Sequence, residues 1–229
     1  QVLAGSRVVA GYAPGGLLVR RGAALLTLRA DEIVWAAGAL DTLGLFPGND
    51  TPGVIGPRAA YRLLLRDGLD VADRHVLLVG GGHDLWLAAG LLAVRGARVS
   101  LVVTDGGMQT EISAAVDLKW RLTTGLELAG VAPRGETGLA ATFAPGHNSP
   151  GRAETHLSMD ADLMIVCRRG KPAYDIAYQL GGELTLAAAA GGFVAPARSV
   201  LSGGVGLTVV GEAAGALPGS GHAGAGEEA

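Results

Sequence analysis

The stretch His75–Asp105, HVLLVGGGHDLWLAAGLLAVRGARVSLVVTD, constrains the fold of this chain more than any other. It reads as strand, glycine turn, helix and second strand. Gly80 and Gly82 lie where a backbone must first turn sharply and then approach a pyrophosphate closely. Ala89, Leu92, Gly96 and Val99 fall where such a unit needs small or apolar residues to seat its helix on its sheet. An α/β fold with a nucleotide or dinucleotide site is the first expectation.

The glycine pattern departs from its template at three positions. A third Gly or Ala is expected where Leu85 stands, and an acidic residue for a ribose hydroxyl is expected where Val103 stands. Asp105 lies two residues further on. Asp84 would repel a phosphate at the helix start unless it points away or caps the helix. Two readings therefore stay open for Gly80–Gly82: a phosphate cradle, or a tight turn in a nucleotide-free α/β layer. His83 is either a phosphate contact or an exposed loop histidine.

Composition narrows the classes. With 229 residues the chain can bury a substantial core, in one domain or two small ones. Hydrophobic residues make up 49% and charged ones 17%, which excludes a disordered chain. A net charge of −3 gives no basic surface for nucleic acid. The apolar run Leu85–Val94 is about half of the roughly 20 residues a membrane helix needs, so a buried helix and no membrane partner are expected. The start lacks Met and lacks the basic-then-apolar order of a secretory signal, so a processed or trimmed cytoplasmic chain is expected. The single cysteine, Cys167, excludes an internal disulfide and any CxxC redox pair. Beside Arg168, Arg169 and Lys171 it is either a reactive thiol or, with more weight, an ordinary core residue. The histidines His75, His83, His147, His156 and His222 show no metal spacing, so no metal site is assigned. Ser220 has glycine neighbours but no strand-to-helix elbow, so no nucleophile is assigned.

Along the chain, Arg7–Tyr12, Leu17–Arg20 and Ala24–Arg29 read as short antiparallel strands around the turn Ala13-Pro14-Gly15-Gly16. Glu32–Ala37 reads as a compact buried strand, and Phe46–Gly53 as an irregular connection. Pro57 suits a first helical position, Arg58–Arg66 is amphipathic, and Gly68 stops that helix. A helix is expected around 109–124. Leu126–Val131, Leu139–Phe143 and Glu154–Ser158 read as strands, with a polar loop over Pro145–Arg152. Leu163–Val166 and Leu207–Val210 read as buried strands, and Pro172–Leu180 as a short helix. Trp35, Trp86 and Trp120 need only packing to explain them.

Four ordered segments together resemble one family. Ile33-Val34-Trp35-Ala36-Ala37-Gly38-Ala39, with Phe46-Pro47-Gly48-Asn49-Asp50 and Pro52-Gly53-Val54, is similar to the "ATGA…FPGND.PGV" passage of two-dinucleotide-domain flavoproteins. The passage is closest to the α subunits of heteromeric sarcosine oxidase, opine oxidase, hydrogen cyanide synthase and dye-linked L-proline dehydrogenase. The glycine turn at 80–82 resembles that family's inserted NAD-type domain. Asp162–Gly170 followed by Pro172 resembles its "DLV.VSGG..P" return strand, and Leu207–Gly215 its "VAGDAAG" motif near FAD. Ala37 replaces a Thr, and Glu212 replaces an Asp while keeping the carboxylate.

The resemblance implies an α/β protein with a Rossmann-like NAD-type domain at 69–161, inserted in an incomplete FAD-type (two-dinucleotide-binding) domain formed by 1–68 and 162–229. The family's first βαβ unit, which holds the FAD pyrophosphate, has no counterpart here. A fragment, a split subunit completed by another chain, and a protein that has lost flavin all stay open. The implied activity is that of an oxidoreductase component acting on a secondary amine or amino acid, with FAD and with NAD or another adenine nucleotide as cofactors. Gly80, Gly82 and His83 are the candidate nucleotide residues; Ala37, Gly38, Gly211 and Glu212 are the candidate flavin residues. The expected partner is a second oxidoreductase subunit or another copy of the chain. The rival expectation is a non-catalytic nucleotide-binding or assembly subunit of the same fold. No residue is assigned a catalytic role, because the hydride chemistry belongs to the cofactor.

Overall fold

A computed structural model describes residues 2–104, 120–146 and 157–216. In chain order the strands are β1 Ser6–Tyr12, β2 Gly16–Arg21, β3 Ala24–Arg29, β4 Glu32–Trp35, β5 Ala39–Leu40 and β6 Val54–Ile55. Helix α1, Pro57–Leu65, precedes β7 His75–Gly80; helix α2, His83–Val94, precedes β8 Arg98–Val103. Then come β9 Arg121–Thr124, β10 Leu126–Arg134, β11 Gly138–Pro145, β12 Leu157–Ala161, β13 Leu163–Cys167 and β14 Lys171–Pro172. A five-residue helix α3, Asp175–Gln179, leads to β15 Thr185–Ala187, β16 Gly192–Val194, β17 Arg198–Val200 and β18 Gly206–Val209. Among the described residues no helix is long and apolar enough to cross a membrane.

The chain forms two compact units. One takes the residues up to Leu40 and from Gly170 onward; the other is Asp41–Arg169. The seams lie at 40/41 and 169/170, against the 68/69 and 161/162 expected from sequence. The reason is pairing: β6 joins β13 in parallel, and Ala60 and Leu64 of α1 are buried in the same cluster as α2.

The Asp41–Arg169 unit is built on a parallel sheet of order β6-β13-β7-β8-β9. Strand β7 is apolar almost throughout because both of its faces are covered. Val76 and Leu78 enter a cluster with Leu85, Ala88 and Leu92 of α2. Leu77 and Val79 enter a second cluster with Phe143 and Val131 of the antiparallel sheet β10-β11-β12. That sheet is covered on one face only, so in β11 the buried residues alternate as Leu139, Ala141 and Phe143. Helix α2 buries Leu85, Ala88, Ala89 and Leu92, spaced i, i+3, i+4, i+7. The expected buried helix is buried on this inner face, while Leu87 and Val94 are exposed on the outer one. The expected helix at 109–124 is corrected in part. Arg121–Thr124 is a strand parallel to β8, and the rest of that stretch up to 119 lies outside the described residues.

In the other unit β1, β2 and β3 form the expected antiparallel meander. Strand β4 lies parallel to β18, which also pairs with β17 in antiparallel fashion. The compact buried strand expected over Glu32–Ala37 is corrected: it stops at Trp35, and only Ile33 is buried. Val34 is 68% exposed because it points to the opposite face of β4 from buried Ile33. Strands β5 and β14 pair briefly, and β15 with β16 makes a hairpin. Ile33, Ile176, Leu180, Leu207 and Val209 carry this unit's core.

Candidate functional site

In the Asp41–Arg169 unit the chain runs from β7 outward through β8 to β9, then returns to lay β13 on the other side of β7. That reversal lies at the carboxyl ends of β7 and β13, the position at which open sheets of this kind bind ligands. Gly80 ends β7 there, paired with Cys167 at φ +128°. A β-carbon on Gly80 would run into the Cys167 carbonyl, so only glycine lets the two strands close up. The Gly81 N–H donates to that carbonyl at 3.0 Å. Gly82, at φ +75°, makes a different demand. Open space surrounds the position a β-carbon would take, and its residue caps α2 with no side chain. The first-turn amides of a helix lack intrahelical partners, and its start carries partial positive charge. The bend and the helix thus form an exposed cradle suited to an anion. His83 opens α2 on the exposed surface beside Gly82.

The departures from the template now have physical accounts. Leu85 is fully buried under α2, filling the place where a small residue would let helix and strand approach. Val103 is buried in the same cluster opposite Gly80 and offers no acceptor for a ribose. Asp105 lies outside the described residues, as do His147, His156, Ser220 and His222. Asp84 does not cap α2. Its Oδ1 accepts from the Tyr61 hydroxyl at 3.2 Å, and the same hydroxyl donates to the Asp84 carbonyl at 3.0 Å. Arg58 approaches Asp84 Oδ2 at 3.8 Å. The carboxylate is drawn toward α1.

Sequence reasoning missed Asp41, Arg58 and Tyr61. Asp41 Oδ2 accepts from the backbone N–H groups of Arg58 and Ala59 at 3.0 and 3.1 Å, and Oδ1 accepts from the Arg58 guanidinium at 3.1 Å. It caps α1 from a distance, because the residue at the cap position, Gly56, has no side chain to do so. No local spacing advertises a cap that far upstream.

Burial raises the Tyr61 phenol far above its ordinary range, and Asp84 raises it further, so Tyr61 remains a hydroxyl donor. Burial likewise raises the Cys167 thiol, with Asp84 and Asp41 adding to it. The basic neighbours in sequence do not activate this cysteine, and Arg168 and Arg169 are both exposed. Cys167 is a core residue. A hollow of about 640 Å³ also lies at the opposite end of the sheet, against His75, Arg98, Arg134 and Asp162. It is open and rimmed by charge. His75 there is engaged with the Ser100 hydroxyl at 2.8 Å. The glycine bend, by contrast, lies at the carboxyl ends of the strands, the end at which open parallel sheets take ligands.

In the unit that carries β4 and β18, the other four candidates sit at the ends of those two strands. The Val210 N–H donates to the Trp35 carbonyl at 3.0 Å, and the Ala173 N–H to the Gly38 carbonyl at 3.0 Å. Trp35 does more than pack: its Nε1–H donates to Ala173 O at 2.6 Å. A β-carbon on Gly38 would stand 3.7 Å from Glu212 Oε2, so the structure brings Gly38 and Glu212 together. Ala37 and Gly211 are exposed beside them, and Gly211 opens a 3₁₀ turn through Ala214. Among this unit's described residues, however, no strand–glycine bend–helix exists to take a pyrophosphate; its only α-helix is α3.

No protein-family model matches the chain, and no curated protein matches it in sequence. Solved structures do match. An FAD-dependent pyridine nucleotide-disulphide oxidoreductase of Desulfovibrio vulgaris aligns with TM-score 0.62 at 17% identity, over 90% of this chain and 52% of that one. The thioredoxin reductase of T. acidophilum aligns with TM-score 0.63 at 13% identity, over 92% and 69%. The water-forming NADH oxidase of Lactobacillus brevis, bound to NADH, aligns with TM-score 0.54 at 21% identity, over 80% and 40%. The chain spans about half the length of the disulphide oxidoreductase and less of the oxidase. At these identities the likeness establishes the fold: an α/β architecture with a Rossmann-like parallel sheet, shared with two-dinucleotide-binding oxidoreductases.

Proposed function

We propose that this chain is a component of an FAD-dependent pyridine-nucleotide-type oxidoreductase. In this reading the Gly80–Gly82 bend holds the phosphates of NAD or another adenine nucleotide, and Ala37, Gly38, Gly211 and Glu212 line part of a flavin site. One observation carries the reading: a glycine closed against the neighbouring strand, followed by an open one capping a helix, at the point where the strand order reverses. The solved structures of the same fold are named as FAD- or NADH-using enzymes, which supports the cofactor assignment.

When bound, nicotinamide and flavin supply the hydride and electron transfer. The chain's own part is to bind and orient. The α2 amides would hold the phosphates, with His83 beside them. Glu212 would accept a hydroxyl bond from the flavin side chain, with Gly38 leaving room beside its carboxylate. A second oxidoreductase subunit or another copy completes the flavin site. A secondary amine or amino acid as reductant is supported by the motif resemblance over Ile33–Val54 and Leu207–Gly215.

A second reading, a non-catalytic nucleotide-binding or assembly subunit, is favoured by buried Leu85, which holds α2 off the close approach the template's small residue allows, and by buried Val103, which stands where the template places a ribose acceptor. Titration of the purified chain with NADH, followed by nicotinamide fluorescence, and a visible absorption spectrum separate the two. Saturable NADH binding with flavin absorbance that an amine bleaches is the expected result. A colourless chain that binds ATP or NADH without turnover supports the second reading. No nucleotide binding at all overturns the first reading and leaves only the assembly form of the second.

A further inference from the structure

We propose that Tyr61 and Arg58 are positioning residues for the glycine bend: they hold the Asp84 carboxylate aside so that a phosphate-bearing ligand can reach the first amides of α2. The inference rests on the nucleotide reading and assigns roles to residues which that reading leaves out.

An acidic side chain in a helix's first turn is attracted by the same partial charge that would attract a phosphate. Left free, Asp84 would act as a built-in competitor. The structure gives it another place to be. The Tyr61 hydroxyl spans the Asp84 carbonyl and its Oδ1, so one group fixes both the backbone and the carboxylate of that residue. Arg58 and Tyr61 lie i, i+3 on one face of α1 and reach the same partner. Arg58 stands between two carboxylates, 3.1 Å from Asp41 Oδ1 and 3.8 Å from Asp84 Oδ2. Asp41 in turn holds the start of α1 through two backbone N–H groups. Side chains of Asp84 and Arg58 are 19% and 29% exposed, so the set is sheltered but borders the surface where the bend opens. Neutral Tyr61 donates across the accessible pH range, because burial keeps its proton on.

The test is calorimetric titration of the full chain with NADH, ADP and, as a ligand without phosphate, adenosine. Tyr61→Phe and Arg58→Gln are each expected to weaken NADH and ADP about five- to tenfold, the scale of one charge at a helix terminus. Adenosine should bind them as it binds the wild type. Asp84→Asn added to either variant should restore ADP affinity, because the competing charge is gone. Thermal melting of each variant separates this from loss of fold, since a damaged fold would weaken adenosine and ADP alike and Asp84→Asn would not repair it. Equal weakening of both ligands, no weakening, or no rescue overturns the inference while wild-type binding keeps the nucleotide reading. Wild-type protein that binds none of the three overturns that reading first, and this one with it.

Discussion

The carbonyl of Cys167 occupies the space that a side chain on Gly80 would need, and it accepts the N–H of the next residue, Gly81, at 3.0 Å. Strand pairing and the ligand-side bend are therefore one piece of backbone. The two glycines of the bend should respond differently to the same substitution.

Gly80→Ala must displace the β13 backbone and hold alanine at φ +128°, so it is expected to cost about 3 kcal/mol or more of stability. Gly82→Ala meets no atom, but φ +75° with ψ −177° is a region essentially reserved for glycine, a strain of about 1–3 kcal/mol. Its methyl group also enters the cradle, so nucleotide affinity should fall with a smaller loss of stability than in Gly80→Ala. Urea unfolding set beside NADH titration reads both quantities. Equal destabilisation by the two variants would contradict the geometry.

Helix α2 offers a paired control on packing. Leu92→Ala removes a fully buried side chain between α2 and the sheet and is expected to cost 2–5 kcal/mol, to order of magnitude roughly that of other core truncations. Val94→Ala, on the exposed face, should stay within about 0.5 kcal/mol of the parent. Chemical denaturation checks both.

Asp41→Ala removes the remote cap of α1 and a partner of Arg58. A loss of about 1–2 kcal/mol is expected, with nucleotide affinity falling as well because Arg58 loses its anchor. Asp41→Asn can still accept the two backbone N–H groups and should recover most of the stability. If alanine and asparagine behave alike, the cap is not what holds α1.

Cys167 gives a pH dependence of known sign. Its thiol has an ordinary value near 9.0 and is raised by burial in the folded chain, so above that pH the unfolded chain releases a proton that the folded chain keeps. Stability is full below about pH 9 and falls as pH climbs beyond it, by up to about 1.4 kcal/mol per unit from this group. Cys167→Ala should flatten that decline relative to the parent in melts between pH 8 and 10. In the native state at neutral pH the thiol should resist alkylation, and it should react once urea unfolds the chain.

The parallel unit was legible because burial on two faces writes itself into composition. The run Val76–Val79 sends alternate residues to two separate clusters, and so short an unbroken β-branched and leucine stretch, closed by Gly80–Gly82, suits a doubly covered strand. The meander β1–β3 was legible from its turns. Arg121–Thr124 was not: four residues with two exposed ends carry no period, and only pairing with β8 makes them a strand. At the site, Gly80 and Gly82 were readable because their backbone demands are local. Asp41, Arg58 and Tyr61 were not, because a cap 17 residues upstream and a hydroxyl 23 residues from its acceptor leave no spacing to read. Glu212 beside Gly38 joins residues still further apart, and the motif resemblance, rather than any pattern of periodicity, pointed to both.

Strand β13 lies between β6 and β7, although the chain makes those two long before it. During synthesis, residues 54–80 can emerge with helix α1, yet no strand pairing links Val54–Ile55 to His75–Gly80 until Leu163–Cys167 arrives. The bend at Gly80 has no wall before then. Assembly of this unit is thus a late, long-range event, slow by topology, and the glycine bend gains its neighbouring strand only at the end of it.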